Sequence, residues 1–235
     1  MRILLISNST VYGRGYLDHA EDELRKFLGD SKTVLFFPFA LFDRDDYAAR
    51  ASARFAEMGY TMTSAHSARD PIRAIVETEA IFIGGGNTFR LLKSLQDLGL
   101  IETIRQRVRE GAPYIGSSAG SNVAGPTIKT TNDMPIVQPR SFDALGLVPF
   151  QLNPHFLDPV PKSTHMGETR EERIMQFLEE NNTPVLGLRE GAWVWAEKGS
   201  VKLGGSHGTR IFRRGEAPVE KTTGDEISSL VGAPG

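Results

Sequence analysis

Short apolar runs alternate with amphipathic segments through the first half of the chain. The apolar runs lie at Arg2–Ile6, Thr33–Phe37, Tyr60–His66 (the weakest), Ala80–Ile83 and Pro113–Gly116. Between them, apolar residues recur at helical spacing over about 17–28, 45–58, 87–98 and 101–109. Strands that alternate with helices of this length are typical of βαβ units. The pattern predicts an α/β fold with a mostly parallel sheet flanked by helices.

The pattern changes after Pro126. Segment 127–162 holds six prolines and little helical periodicity, so it predicts loops and short strands. A capping box at Thr169–Glu172 then opens a helix. Apolar runs at 184–188, 192–205 and 209–215, separated by glycine turns, predict a small antiparallel C-terminal addition. Residues 231–235 are expected to fray, and residues 1–235 are interpreted as a single domain.

Composition narrows the function classes. The chain has 235 residues, of which 40% are hydrophobic and 24% charged, an ordinary balance for a protein with a substantial core. The net charge is −2 and no basic tract is present, which argues against partners such as nucleic acid or a membrane. No apolar stretch approaches the roughly 18 residues of a membrane span, and the opening run is too short for a signal peptide. These features predict a cytoplasmic protein.

The chain contains no cysteine. This absence excludes a disulfide framework, a thiol nucleophile and a zinc site with sulfur ligands. The five histidines are scattered and do not have metal-ligand spacing. We therefore expect neither a metal nor a cofactor.

Two adjacent serines lie between glycines directly after the apolar run that ends near Gly116. The sequence from Gly116 to Gly120 reads G-S-S-A-G and fits the G-x-S-x-G nucleophile elbow, whose middle residue is Ser118. In such an elbow a sharp turn between strand and helix exposes the hydroxyl of the middle serine. Ser117 would then have no part in the chemistry. A plain strand-to-helix turn built from small residues is the alternative interpretation.

A second glycine-rich turn, Gly84–Asn87, follows the strand predicted at Ala80–Ile83 and opens a helix. Three glycines allow backbone N–H groups to approach a ligand closely, so the turn could hold a phosphate or form half of an oxyanion hole. A tight turn without a ligand is equally compatible. The sequence matches neither a P-loop nor G-x-G-x-x-G.

A catalytic serine requires a base, and the base requires a carboxylate that orients it. His155 is a loop histidine if taken alone, but it becomes the candidate base once it is paired with Ser118. Glu190 lies just beyond the strand predicted at 184–188, and Asp133 lies in a polar turn between Ser118 and His155. Either carboxylate could instead bond its own turn.

Seven blocks of sequence together resemble a known family. In chain order they are SNST, IGGGNTFRLL, YIGSSAGSN, TTNDMPIV, FDALGLVPFQLNPHF, GETREERI and GLREGAW. They resemble the peptidase E family of alpha-aspartyl dipeptidases from the first strand to about Gly205, and the segment after Gly205 has no clear match. The resemblance implies a flavodoxin-like fold similar to the class I glutamine amidotransferase domain. It also implies a serine peptidase that cleaves dipeptides beginning with aspartate.

Position by position, the resemblance places Ser118 on the nucleophile and His155 on the base. Glu190 matches the carboxylate in the order Ser, His, Glu, while Asp133 matches an aspartate that has also been proposed for that role. We favour Glu190 for orienting His155 and keep Asp133 as a charge relay or a contact for the substrate amine. Ser117 replaces a bulkier residue of the family, which affects the expected shape of the pocket.

The same resemblance suggests the remaining site residues. The backbone N–H groups of Ala119 and of Gly85 or Gly86 are expected to form the oxyanion hole. Asn87, Arg170 and Arg173 are expected to contact the substrate, and the two arginines lie three residues apart on one face of the predicted helix. An alternative for these arginines is pairing with neighbouring glutamates or solvent.

Two further functions stay open at this point. One is a cyanophycinase-like hydrolase of aspartyl-arginine isopeptides, and the other is a non-catalytic flavodoxin-like module that binds phosphate. The expected partner is a small peptide substrate, and the protein is expected to be a monomer or homodimer.

Overall fold

The computed structural model describes residues 1–159, 164 and 166–234. The strands are β1 (Arg2–Ile6), β2 (Thr33–Phe37), β3 (Thr61–Ser64), β4 (Ala80–Ile83), β5 (Tyr114–Ser117), β6 (Gln151–Pro154), β7 (Val185–Leu188), β8 (Ala192–Glu197), β9 (Ser200–Gly205), β10 (Thr209–Phe212) and β11 (Val219–Lys221). They form two sheets. The main sheet has the order β3-β2-β4-β5-β1-β8-β9, and the second sheet has the order β11-β10-β7-β6.

The main sheet is mostly parallel, as the sequence predicts. Strands β1 to β5 are all parallel to their neighbours within this group. Strands β8 and β9 continue the sheet beyond β1 in antiparallel fashion. The predicted antiparallel addition is therefore divided, because residues 192–205 extend the main sheet and β10 and β11 join the second one.

The second sheet is mixed. Strands β6 and β7 are parallel to each other, and β10 is antiparallel to both β7 and β11. Strand β6 lies within the proline-rich segment 127–162, which the structure describes as far as residue 159 and which is otherwise mainly irregular loop.

Helices flank the main sheet. They are α1 (Glu21–Leu28), α2 (Arg44–Glu57), α3 (Pro71–Glu77), α4 (Thr88–Asp97), α5 (Ile101–Arg109), α6 (Ala119–Asn122), α7 (Arg170–Glu180) and α8 (Ser228–Val231). The capping box predicted for α7 is confirmed, since Thr169 and Glu172 bond each other's backbone N–H groups. No helix in the described ranges is long and apolar enough to cross a membrane.

The core covers both faces of the main sheet. Alternate residues of β1 enter opposite hydrophobic clusters, Ile3 and Leu5 on one face and Leu4 and Ile6 on the other. This explains why the strand is a continuous apolar run. A smaller cluster packs α7 against the second sheet through Phe156, Ile174, Leu178, Val185 and Phe212. The interpretation as one domain stays a prediction.

Three local predictions need correction. The helix expected from about residue 17 starts at Glu21, because Leu17 has a left-handed φ of 61° and a 3-10 turn follows it. Helix α3 was not predicted, although Asp70 caps it and Pro71 occupies its first turn, a usual helix start. At the start of the tail that was expected to fray, Val231 packs into the core and is only 3% exposed, while Gly235 lies outside the described residues.

Candidate active site

Ser118 lies between β5 and α6 in a strained turn. Its φ of 52° and ψ of −107° are unusual for a residue with a side chain. A Cβ added to Gly116 would lie 2.5 Å from the carbonyl oxygen of Gly120, and one added to Gly120 would lie 2.0 Å from that of Ile83. The two glycines are thus required by close backbone packing. This is the geometry of a nucleophile elbow.

The neighbouring serine has a different environment. Ser117 belongs to β5, is fully buried, and its hydroxyl has no hydrogen-bond partner among the described residues. Ser118 is partly exposed and faces His155. The two serines therefore differ in burial and in contacts, and only Ser118, the middle residue of G-x-S-x-G, faces the histidine.

His155 joins the serine to a carboxylate. Its Nε2 lies 3.1 Å from Ser118 Oγ, and its Nδ1 lies 2.7 Å from Glu190 Oε1. The histidine follows β6 with a left-handed φ of 54°, and the glutamate follows β7, the parallel neighbour of β6. The chain of contacts Glu190–His155–Ser118 has the order of a catalytic triad.

Asp133 does not contact His155. Its Oδ2 accepts hydrogen bonds from the backbone N–H of Thr88 at 2.7 Å, from the Thr88 hydroxyl at 2.6 Å and from the Thr131 hydroxyl at 3.2 Å. These bonds place the carboxylate at the N-terminus of α4, where the helix dipole favours an anion. Of the two candidate carboxylates, the structure brings only Glu190 to the histidine.

The glycine turn Gly84–Gly86 lies beside the serine. A Cβ on Gly85 would come within 3.0 Å of Ser118 Cβ. The Gly85 N–H, however, donates to the buried hydroxyl of Tyr47 at 2.9 Å, so it does not point toward an oxyanion. Within the described part of the chain, the N–H groups of Gly86 and Ala119 have no hydrogen-bond acceptor.

Tyr47 was not anticipated from the sequence. Its phenol is buried in the cluster beneath the turn, and burial raises the pKa of this group. A Cβ on Gly84 would come within 2.4 Å of the same hydroxyl, so phenol and glycine turn are fitted to each other. An aromatic residue within an ordinary amphipathic helix carries no signal of such a contact.

Asn87 caps α4. Its Oδ1 accepts from the Arg90 N–H at 3.0 Å, and its Nδ2 donates to the Met134 carbonyl at 2.9 Å. Both ends of the amide are therefore engaged in holding loops. One N–H of Nδ2 and one lone pair of Oδ1 remain, so the expected contact of Asn87 with substrate stays a prediction.

A cavity of about 320 Å³ adjoins the triad. Its lining is polar and consists of Ser118, Asn122, Thr131, Asn132, Asp133, Pro154, His155 and Arg170. Arg170 brings a positive charge and Asp133 a negative charge. Burial is the main cause that lowers the pKa of Arg170, followed by the charge of Arg173, while Asp133 acts in the opposite direction. Arg173 is not part of the lining and lies 3.6 Å from Glu168.

Comparison with known proteins agrees with this geometry. The sequence profile of peptidase family S51 matches residues 3–204, which is most of the chain. The chain belongs to peptidase family S51. The expected resemblance is confirmed, and this family member is a serine-type peptidase.

The relatives of this S51 peptidase extend over its whole length. It is 52% identical to Peptidase E of Streptomyces coelicolor, over 100% of this chain and 97% of the relative. It is 46% identical to Peptidase E of Citrobacter koseri, over 95% of this chain and 99% of the relative. A crystal structure of a peptidase from an acI-B1 Actinobacterium is similar with a TM-score of 0.73 at 14% identity, covering 96% of each chain, which supports the fold.

The S51 peptidase offers no metal centre in the part of the chain that the structure describes. No group of three or more histidine, aspartate or glutamate side chains there could hold a metal ion. The polar side chains that the structure brings together at the site include the Ser118 hydroxyl, the His155 imidazole, the Asp133 and Glu190 carboxylates and the Arg170 guanidinium.

Proposed function

We propose that this S51 peptidase is a dipeptidase that hydrolyses Asp-Xaa dipeptides through an acyl-enzyme. The observation that carries the proposal is the hydrogen-bonded series Glu190–His155–Ser118, in which the serine occupies a strained elbow beside a charged cavity. The name Peptidase E that the relatives bear agrees with it. The proposed location is the cytoplasm and the proposed assembly a monomer or homodimer.

His155 is the proposed base. With its Nδ1–H donated to Glu190, its Nε2 is free to accept the Ser118 proton as Oγ attacks the peptide carbonyl. The same nitrogen then returns the proton to the leaving amine as the C–N bond breaks. Water, activated by Nε2, hydrolyses the aspartyl ester and restores the serine.

The proposed oxyanion hole consists of the N–H groups of Ala119 and Gly86. Ala119 begins α6, so its N–H is one of the unpaired donors at a helix start. Gly86 has a φ of 134°, and a Cβ there would lie 2.7 Å from the Ala40 carbonyl oxygen, so the turn accepts only glycine. Gly85 is replaced in this role, because Tyr47 already accepts its N–H.

Aspartate selectivity is proposed to come from the two charges that line the cavity. An N-terminal aspartate carries an ammonium group and a β-carboxylate close together. The Arg170 guanidinium can bind the carboxylate in bidentate fashion. Asp133 keeps its Oδ1 without a hydrogen bond to the described residues and can accept the ammonium. The cavity thus matches both ends of this residue.

A panel of dipeptides tests the proposal. Asp-Leu should be cleaved about thirtyfold faster in kcat/KM than Asn-Leu or Ala-Leu, since Arg170 is only half-buried and leaving it unpaired should cost about 2 kcal/mol, the lower end of the range for buried charge pairs. Glu-Leu places the same charge one methylene further out and should also be slow. Equal cleavage of Ala-Leu and Asp-Leu would exclude the aspartyl specificity, and faster cleavage of a β-aspartyl-arginine isopeptide would favour the cyanophycinase-like alternative.

Variants of the two arginines sharpen the same test. Arg170→Met should abolish the preference for Asp-Leu over Asn-Leu while Ser118 still reacts with an aryl sulfonyl fluoride. Arg173→Met is the matched control, because its side chain is 58% exposed and pairs with Glu168. If Arg173→Met alone removes the preference, the carboxylate contact belongs to Arg173.

A further inference from the structure

The three triad segments all meet at the end of one strand. Ile6, the last residue of β1, accepts the Ser118 N–H on its carbonyl oxygen at 3.0 Å. Ser7 follows, and its Oγ accepts the His155 N–H at 3.0 Å. Asn8 comes next, and its Oδ1 accepts the N–H of Gly191, the residue after Glu190, at 2.7 Å. Three consecutive residues therefore hold the three segments that carry Ser118, His155 and Glu190.

This meeting point lies between the two sheets. Ser118 follows β5 of the main sheet, whereas His155 and Glu190 follow β6 and β7 of the second sheet. Backbone pairing within either sheet does not fix the distance between sheets. The contacts of Ser7 and Asn8 do cross this boundary, and both side chains are almost completely buried.

The Ser7 hydroxyl makes two hydrogen bonds, one as acceptor and one as donor. It accepts the His155 N–H, and it donates to the Leu188 carbonyl oxygen at 2.8 Å, at the end of β7. Its backbone N–H donates to the Ala192 carbonyl at 3.0 Å, which fixes Ser7 to β8 of the main sheet. Ser7 is thus held by two hydrogen bonds of its hydroxyl and one of its backbone N–H, so it fixes the His155 backbone relative to β7 and β8.

His155 needs such support. Its left-handed φ of 54° is unfavourable for a residue with a side chain, so surrounding bonds must maintain it. Its imidazole is 42% exposed, and packing alone therefore does not set the ring position. The backbone bond to Ser7 supplies a fixed point directly at the residue.

We infer that Ser7 and Asn8 are positioning residues for the peptidase reaction, which set His155 and Glu190 against Ser118 across the boundary between sheets. The inference rests on the proposed function. Neither side chain touches the reacting atoms, so their effect passes through the backbone of the triad segments. Loss of the hydrogen bond from His155 to Ser7, or of the one from Gly191 to Asn8, should lower the rate of the chemical step. Substrate binding in the cavity should be nearly unchanged.

The test compares Ser7→Ala and Asn8→Ala with Thr78→Val. Thr78 is a matched control, since its buried hydroxyl also donates to a backbone carbonyl, that of Ala80 at 2.9 Å, at the other end of β4 from the site. For each protein, the rate of Ser118 labelling by an aryl sulfonyl fluoride, kcat and KM for Asp-Leu, and urea unfolding are measured.

Ser7→Ala should lower both kcat and the labelling rate by about 10- to 100-fold, with KM changed less than about threefold, the scale of a small misplacement of a reacting group. Asn8→Ala should lower both by about three- to tenfold, because Asn8 acts one residue away from Glu190. Thr78→Val should keep kcat and labelling within about twofold of the wild type despite a comparable loss of stability.

The outcomes separate this inference from the proposed function. Wild-type protein that is not labelled at Ser118 would overturn both. Labelling of Ser118 in the wild type at a rate equal to that in Ser7→Ala and Asn8→Ala would overturn the positioning role alone. Should Ser7→Ala not fold, Asn8→Ala decides, and a rate equal to the Thr78→Val rate counts against the inference.

Discussion

The main sheet and the second sheet supply different halves of the site. Ser118 stands on a turn whose shape is set by fully buried residues close in sequence, from Tyr114 to Asn122. His155 and Glu190 stand on loops of the smaller sheet, and their side chains are 42% and 51% exposed. The proposed nucleophile therefore lies in a buried turn between Ile6 and Ile83, whereas the proposed base and acid are half-exposed and depend on the contacts of Ser7 and Asn8. We expect substitutions at the two halves to fail in different ways.

The largest difference in kcat should be the one between variants of the two adjacent serines. Ser118→Ala should lower kcat by about 10⁶, the scale seen when a triad nucleophile is removed. Ser117→Ala removes a buried hydroxyl that has no hydrogen-bond partner in the described part of the chain, so kcat should stay close to that of the wild type. Steady-state hydrolysis of Asp-Leu gives kcat for both variants. Similar activity of the two variants would show that the elbow does not select Ser118.

The two carboxylates give the next largest contrast. Glu190→Gln should lower kcat by up to about 10⁴, because the neutral amide can neither hold the tautomer nor stabilise the imidazolium. Asp133→Asn should mainly raise KM, since Asp133 faces the cavity and contacts Thr88 rather than His155. Separate determination of kcat and KM distinguishes the variants. The opposite pattern would assign the orienting role to Asp133.

The smallest expected effect is on the free energy of unfolding, and it comes from an ion pair near His155. Arg189 forms two bonds of 2.7 Å with Asp158 and thereby ties the loop after His155 to the end of β7. The hydrogen bond from Arg189 is the main cause that lowers the pKa of Asp158. Because the lowered pKa belongs to the folded state, this stabilisation is present above the unfolded pKa of Asp158 and is lost as pH falls through the folded value.

Asp158→Asn should thus reduce the free energy of unfolding by about 0.5–1 kcal/mol at pH 7, an amount reduced by solvent at this half-exposed site. The difference from the wild type should be unchanged at about pH 5 and should shrink at about pH 3, below the unfolded pKa of Asp158. Asp46→Asn, in the exposed pair with Arg50 on α2, is the control and should change stability by less than about 0.5 kcal/mol. Urea unfolding at the three pH values measures this, and a difference independent of pH would argue against the ion pair.

Much of the main sheet follows from the sequence alone. Four of its five parallel strands are apolar runs, and most are separated by amphipathic helices, a pattern that local periodicity expresses directly; β3 is the weakest signal, since it contains two threonines and a serine. The elbow is also readable, because the spacing G-x-S-x-G marks it in the sequence, although the contact that requires Gly120 is with the distant carbonyl of Ile83. The order Ser118, His155, Glu190 came from the family resemblance and agrees with the observed contacts.

The second sheet is harder to predict for a physical reason. Strand β6 has four residues in a proline-rich segment, and its partner β7 begins 31 residues after β6 ends, so no local pattern announces the pairing. The engagement of Gly85 by Tyr47, across 38 residues, is equally invisible in a helical pattern. Contacts of this kind depend on which surfaces meet in three dimensions, and single-sequence periodicity carries no such information.

The placement of β1 also has a consequence for biosynthesis. The serine elbow is complete after about half of the chain, yet His155 is 37 residues further on and Glu190 another 35. Strand β8, which pairs with β1 beside the meeting point, comes later still. A nascent chain that has emerged only as far as α6 carries the hydroxyl without a base to activate it. With the proposed triad, peptide-bond cleavage is expected only after the segment that carries Glu190 has been synthesised and has folded back onto the end of β1.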